Sequence, residues 1–286
     1  MASIDADSGS ETQRIIDDPS RGFLGHLTPP VFQHYPYRGR AQFENDFKRA
    51  CDTTDHTVEW FLVTAVDNKT FTTEFLEAEE PPFSRWCAYD PALKLILINM
   101  VKSAPHETAS GIFGLVLQEA LVPIGMQRCL LPIGSITQFA TIGGKEPDLA
   151  WQPSRLPRGR SAKWPSAVLE VAYSETQAKL RSDVRYWLRG PEGEVKTILT
   201  IRISRNEPKI IIERWESDGN SQGHREQQIV ISKRRNGKIT IAGAPLVLDF
   251  ERLFLRAPTT PRERNIEIGN EKLEFVATRV WVRQQF

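Results

Sequence analysis

The stretch KEPDLAWQP (145–153), followed by WPSAVLEVAYSE (164–175) and AKLRSDVRYWL (178–188), decides how the rest of this sequence is read. At its centre Glu170 interrupts an apolar run of Val168, Leu169, Val171 and Ala172. A carboxylate in a buried strand is costly unless it is paired, hydrogen-bonded or metal-bound. Strand alternation puts Val168, Glu170 and Ala172 on one face, and Leu169, Val171 and Tyr173 on the other. A second acid, Asp148, follows Pro147 at the head of the preceding apolar segment. Segments 148–151 and 167–173 therefore read as strands with one acid each. Beyond them Ser174 and Gln177 have capping-box spacing. Leu180, Val184, Trp187 and Leu188 form the apolar stripe of a helix over 174–188.

Working outward, 93–100 (LKLILINM) reads as a strand. A helix follows over 103–122, with Ser103 as cap, Pro105 in the first turn, and Ile112, Phe113, Val116 and Ala120 at helical spacing. Short strands are expected at 127–131 and 136–140, and longer β-branched ones at 195–203 and 209–215. Asn236-Gly237 marks a hairpin between 227–233 and 238–241, or an edge added to the main sheet, and 271–280 reads as a short helix. Towards the N-terminus, a helical pattern runs from Tyr35 through Phe43, Phe47 and Cys51 to a strand-like finish at 58–63. Residues 64–90, with Pro81-Pro82, read as a loop-rich connection. The pattern predicts an α/β fold, a mixed β-sheet flanked by helices, with a β-rich C-terminal extension. Its divisions are a disordered acidic tail at 1–22, a main domain at 23–216 with its core at 93–203, and an extension of hairpin and short helix at 217–286.

Composition excludes several classes. With 286 residues, 40% hydrophobic and 26% charged, the chain has the make-up of a soluble globular protein. No apolar run approaches the roughly 18 residues of a membrane span, and the N-terminus lacks the order of a secretory signal. An intracellular address, cytoplasmic or nuclear, is the expectation, with no membrane partner. Cys51, Cys87 and Cys129 form no C-x-x-C pair, and the five histidines show no H-x-x-x-H spacing. Any catalytic metal would be held mainly by oxygen, and two carboxylates with a main-chain carbonyl suit Mg²⁺ or Mn²⁺. The net charge of +1 hides an asymmetry: residues 1–90 carry 8 Lys/Arg against 16 Asp/Glu, and residues 91–286 carry 29 against 20. A basic body suits a polyanion such as nucleic acid. Arg155, Arg158, Arg160 and Lys163, in a stretch without acids, are candidate phosphate contacts. Lys233, Arg234 and Arg235 raise the same reading.

In order and spacing, these segments resemble the PD-(D/E)XK nuclease superfamily and, within it, the Uma-type restriction-endonuclease family. The features are the strand LKLILINM, a helix opening with His106-Glu107, Gly134-Ser135 with Thr137, the triplet Glu146-Pro147-Asp148, and VLEV before a serine-containing turn. They cover roughly residues 93–203. The resemblance implies a restriction-endonuclease-like core and metal-dependent hydrolysis of phosphodiester bonds, in DNA ahead of RNA, with a homodimer as one assembly. By the same resemblance Asp148 and Glu170 are metal ligands, and the motif lysine is expected two residues after the second acid. Here that position is Ala172, and Lys179 on the following helix is the substitute. Glu107 matches an accessory acid.

Each of these residues also has a plainer reading. Asp148 can turn or cap the chain, Glu170 can pair with Arg185 or Arg202, and Lys179 can be a solvated helix lysine. Glu107 suits a helix N-terminus for its charge alone. His106 has no assigned role, and Tyr173 and Trp187 read as core. The missing lysine at position 172 keeps open a second function: a catalytically inactive nuclease fold that binds nucleic acid or protein. A third is an unrelated α/β domain with a fortuitous acid pair.

Overall fold

The computed structural model describes residues 22–25, 27, 34–53, 60–100, 103–134, 137–173, 177–217 and 223–286. β1 (His34–Pro36) leads into α1 (Arg40–Thr53) and β2 (Trp60–Thr64). Asp67 caps α2 (Asn68–Thr70) by accepting the Thr70 N–H, and the chain continues as a π-helical turn, Phe71–Leu76. β3 (Trp86–Asp90) and β4 (Leu95–Asn99) precede the long α3 (Ala104–Leu121). Then come β5 (Leu130–Pro132), β6 (Gln138–Ala140), β7 (Gly143–Lys145) and β8 (Leu149–Pro153). β9 (Ala167–Tyr173), α4 (Gln177–Arg189) and β10 (Thr197–Ile203) form a parallel β-α-β unit. β11 (Lys209–Ser217), β12 (Gly223–Lys233) and β13 (Ile239–Ala242) continue antiparallel from it. β14 (Leu246–Leu248), α5 (Phe250–Phe254), β15 (Ile266–Ile268) and α6 (Asn270–Gln284) complete the chain.

The fold is mixed α/β. Among the described residues one sheet has the order β1-β2-β4-β3-β7-β6 and a second the order β13-β12-β11-β10-β9-β8-β5. β1·β2 and β9·β10 are the parallel pairs. Alternation along β9 follows the sequence expectation. Leu169 and Val171 join the core formed with Phe113 and Val116 of α3 and with Val276 and Val280 of α6. Val168 faces the other way, into a core with Val184, Trp187 and Leu188 of α4 and with Trp60, Ala88 and Leu97 of the first sheet. The first sheet's outer face packs an aromatic cluster of Phe43, Phe61, Phe71, Phe75 and Phe83. Burying each such ring contributes about 1.5–3 kcal/mol. Glu170 thus lies in the layer between the sheets.

Several expectations need adjusting. The connection at 64–90 holds α2, the π-helical turn and β3, because Phe71 and Phe75 anchor in the aromatic cluster despite their polar neighbours. The pattern from Tyr35 divides into β1, α1 and β2, and α6 outruns the expected 271–280 helix by one residue at its start and four at its end, spanning Asn270–Gln284. The Asn236-Gly237 hairpin is confirmed, with Gly237 at φ +79, and β12 and β13 extend the second sheet. Ser103 caps α3 as expected, accepting the His106 N–H. The Ser174 cap, Ser135 and residues 1–21 of the expected tail lie outside the described residues.

β7 carries no periodic signal, being Gly-Gly-Lys, and it was absent from the sequence expectation. Its glycines let two backbones meet. A Cβ on Gly143 would lie 2.1 Å from the Tyr89 carbonyl oxygen, at a φ of +136 that L-residues rarely adopt. Gly143→Ala is expected to destabilise the protein by about 2–4 kcal/mol, read as a lower urea midpoint. A shift under about 1 kcal/mol would mean that β7 can move away from β3.

Candidate active site between the two sheets

The register sets the site. β8 and β9 pair antiparallel with Leu149 opposite Leu169, so Asp148, one residue before β8, continues the register to lie beside Glu170. Its Oδ2 accepts the Val171 N–H at 2.7 Å. Asp148 therefore extends the ladder with a carboxylate where β8 has no further residue to offer. His106, in the first turn of α3, places Nε2 3.3 Å from the same oxygen and Nδ1 3.4 Å from Glu107. Burial alone would raise the Asp148 carboxyl. His106, Lys179 and the Val171 N–H outweigh it and hold the group well below the usual carboxylate range.

Glu170 is 1% exposed. Its Oε1 accepts the Trp187 indole N–H at 2.5 Å, and the Lys145 ammonium lies 3.2 Å away. Lys145 comes from β7 of the other sheet, paired beside Ala88, and also reaches Asp183 of α4 at 2.7 Å. Lys179, one helical turn before Asp183, lies 3.0 Å from Asp183 and 3.9 Å from Glu170, with its ammonium 4.3 Å from the centre of the Trp60 ring. Burial pushes the Glu170 carboxyl up to about 8; Lys145 and Lys179 offset only part of that rise, and Asp183 and Asp148 add to it. Burial likewise pulls Lys145 down, but Asp183 and Glu170 prevail and raise it. Two lysines and two acids make a buried cluster whose formal charges cancel.

Asp148, Glu170, Lys145 and Lys179 line one cavity of about 440 Å³, together with Trp60, Arg85, Asn99 and Glu146. The plainer partners considered for Glu170, Arg185 and Arg202, are replaced by Lys145 and Lys179. Lys179 is buried, not solvated. Glu107 does not line the cavity; its side chain is 57% exposed and meets the site through His106. Of the basic loop, Arg155, Arg158 and Lys163 are exposed. Arg160 turns inward, paired with Glu194 and donating to the Trp164 and Glu194 carbonyls. That loop joins the end of β8 to the start of β9, at the opposite end of the strand from Asp148, and none of the four lines the cavity.

Sequence reading missed Lys145, Asp183 and the polar role of Trp187, and gave His106 no role. The Lys179–Asp183 spacing of four was visible but is equally that of a solvated helix pair.

Among the described residues, no group of three or more His, Cys, Asp or Glu side chains is placed to hold a metal ion. The donor chemistry still suits Mg²⁺, which keeps several waters and takes one or two carboxylates. Asp148 and Glu170 open on the same cavity. The Val171 carbonyl leaves its strand on the same edge as the N–H that reaches Asp148.

The chain is similar in structure to the “putative nuclease belonging to DUF820” from Anabaena variabilis ATCC 29413, at 13% identity and a TM-score of 0.35, over 65% of this chain and 87% of that one. No family model and no curated protein matches the sequence. No described helix is long and apolar enough to cross a membrane.

Proposed function

We propose that this chain is a restriction-endonuclease-like hydrolase that cleaves phosphodiester bonds of nucleic acid, DNA ahead of RNA, at Asp148 and Glu170. The observation that supports it is the convergence of two carboxylates from one strand register with buried lysines on a single cavity. Mg²⁺ or Mn²⁺ held by Asp148, Glu170 and the Val171 carbonyl would polarise a phosphoryl oxygen and acidify a bound water. The chain's own groups do the rest. The Val171 N–H and His106 fix the Asp148 carboxylate. Trp187 fixes one oxygen of Glu170. Lys179 supplies positive charge at the cavity wall, where charge accumulates on the phosphate in the transition state. Glu107 acts through His106 as a positioning group.

The test is cleavage of supercoiled plasmid, single-stranded DNA and RNA with Mg²⁺, Mn²⁺ or EDTA, beside an Asp148→Ala/Glu170→Ala variant. Metal-dependent nicking lost in the variant supports the reading. Lys179→Ala is expected to slow cleavage on the order of 10²-fold at unchanged metal affinity, followed by single-turnover rates across a metal titration. An unchanged rate would leave lysine duty to Lys145. A homodimer would bring two such sites to a duplex, and sedimentation with and without DNA reads the stoichiometry.

The Lys145–Glu170–Asp183–Lys179 cluster favours a second reading. Glu170 already has two ammonium groups and an indole N–H around it, so a cation must compete for it. Nucleic-acid binding without cleavage in any metal would identify an inactive nuclease fold that serves as a binding module.

A further inference from the structure

We propose that the end of the second sheet formed by the β10–β11 and β12–β13 turns is a docking surface for the sugar-phosphate backbone of nucleic acid. The proposal rests on nucleic acid being the substrate of the Asp148–Glu170 site and assigns the surface that presents it.

β10 runs parallel to β9, with Ile203 opposite Tyr173, so the β10–β11 turn follows the same strand end that Asp148 marks. β11 and β12 pair with Lys209 opposite Ser232, and the Lys233 N–H donates to the Pro208 carbonyl at 3.0 Å, which fastens the two turns side by side. The first turn carries Arg202, Arg205 and Lys209 around a cavity of about 320 Å³. The second carries Lys233, Arg234, Arg235 and Lys238, of which the last three are exposed. Across residues 202–209 and 233–238 the seven cations face a single acid, Glu207, which pairs with Lys209. Arg202 lies opposite Ala172, two residues along the same strand face from Glu170, and so begins a basic track beside the site, although it lines the turn cavity and not that of Asp148 and Glu170.

The dimensions suit an extended polyanion. Glu170 is three residues from the end of β9, and the β12–β13 turn is three strands away. At about 3.3 Å per residue and 4.8 Å per strand, the track spans roughly 20 Å. That length covers about six base pairs of duplex at 3.4 Å each. Neither turn exposes a large apolar side chain for insertion into a lipid surface. Sequence reading offered the 155–163 loop for phosphate contacts and raised Lys233, Arg234 and Arg235 beside it; the 155–163 loop lies at the other end of β9.

The experiment is fluorescence anisotropy of the full chain with a labelled 20-base-pair duplex in EDTA, from about 50 to 200 mM salt. Arg234→Ala/Arg235→Ala/Lys238→Ala is expected to weaken binding about 10- to 100-fold and to flatten the log–log salt slope by about 2 to 3, the loss of three phosphate contacts. Arg155→Ala/Arg158→Ala is expected to change affinity less than about twofold. Circular dichroism checks that the exposed turn variants fold. Equal binding by the triple variant and the wild type would overturn the docking surface, as would no duplex binding at all. Turn-dependent binding to phosphatidylserine vesicles instead of duplex would also overturn it, in favour of a lipid surface. Asp148→Ala/Glu170→Ala in the same binding assay, with cleavage read separately in Mg²⁺, keeps the two ideas apart: retained binding with lost metal-dependent cleavage supports both. Retained, turn-dependent binding with no cleavage by the wild type leaves the surface standing and removes the hydrolase.

Discussion

Glu170→Gln is expected to reduce metal-dependent cleavage by at least about 10³-fold while the protein still unfolds in a single cooperative transition. On the proposed function a metal-ligating carboxylate is replaced by a neutral amide, and the Lewis-acid chemistry it would support at the phosphate, worth several kcal/mol, goes with it. The amide oxygen can still accept from Trp187, and Lys145 keeps Asp183. Burial already pushes the Glu170 carboxyl up, so the amide replaces a group whose charge the site holds weakly, and the loss of stability is expected to stay near 1–2 kcal/mol, which separates a dead site from a lost fold. The measurements are initial nicking rates over a Mg²⁺ titration and a urea melt of the same preparation. Unchanged nicking would remove Glu170 from the chemistry and leave it as the anchor of Lys145.

The largest stability effect is expected at Asp183, on the opposite side of the same cluster. Asp183→Ala leaves Lys145 and Lys179 with Glu170 as their remaining acid in the cluster, and so strands one positive charge in a site 1–2% exposed. Breaking a buried pair in this way costs about 3–5 kcal/mol, because the orphaned charge has lost its hydration without compensation. Removing both signs together is much milder. Lys145→Met/Asp183→Leu is expected to be at least about 2 kcal/mol more stable than the sum of the single variants predicts. Additive losses in that double-mutant cycle would mean that water, not the partner charge, screens each group. The cluster would then hold no electrostatic unit.

Much of the frame was legible from local signals. β9 begins and ends where its apolar run does, at Ala167 and Tyr173, and Glu170 falls on the face that alternation assigns it. α3 begins after the Ser103 cap that the sequence offers. A strand period and a capping serine act over two to four residues, so the chain displays them before it folds.

The site's chemistry is assembled over longer distances. Lys145 stands 25 residues before Glu170 in the chain, on a three-residue strand with two glycines that has no period to read. Asp183 and Lys179 look like a solvated pair, and Trp187 like plain core, until α4 is enclosed between the sheets. The basic surface shows the same limit: the 155–163 loop is next to Glu170 in sequence, yet it lies at the far end of β9. The turns at 204–208 and 234–237, remote in sequence, reach the Asp148 end through the pairing of β10, β11 and β12. The sequence by itself determined which strand carries a buried acid, because burial and period are properties of a segment. Which cations surround that acid was decided only by the tertiary structure, because charge pairing depends on which strands become neighbours.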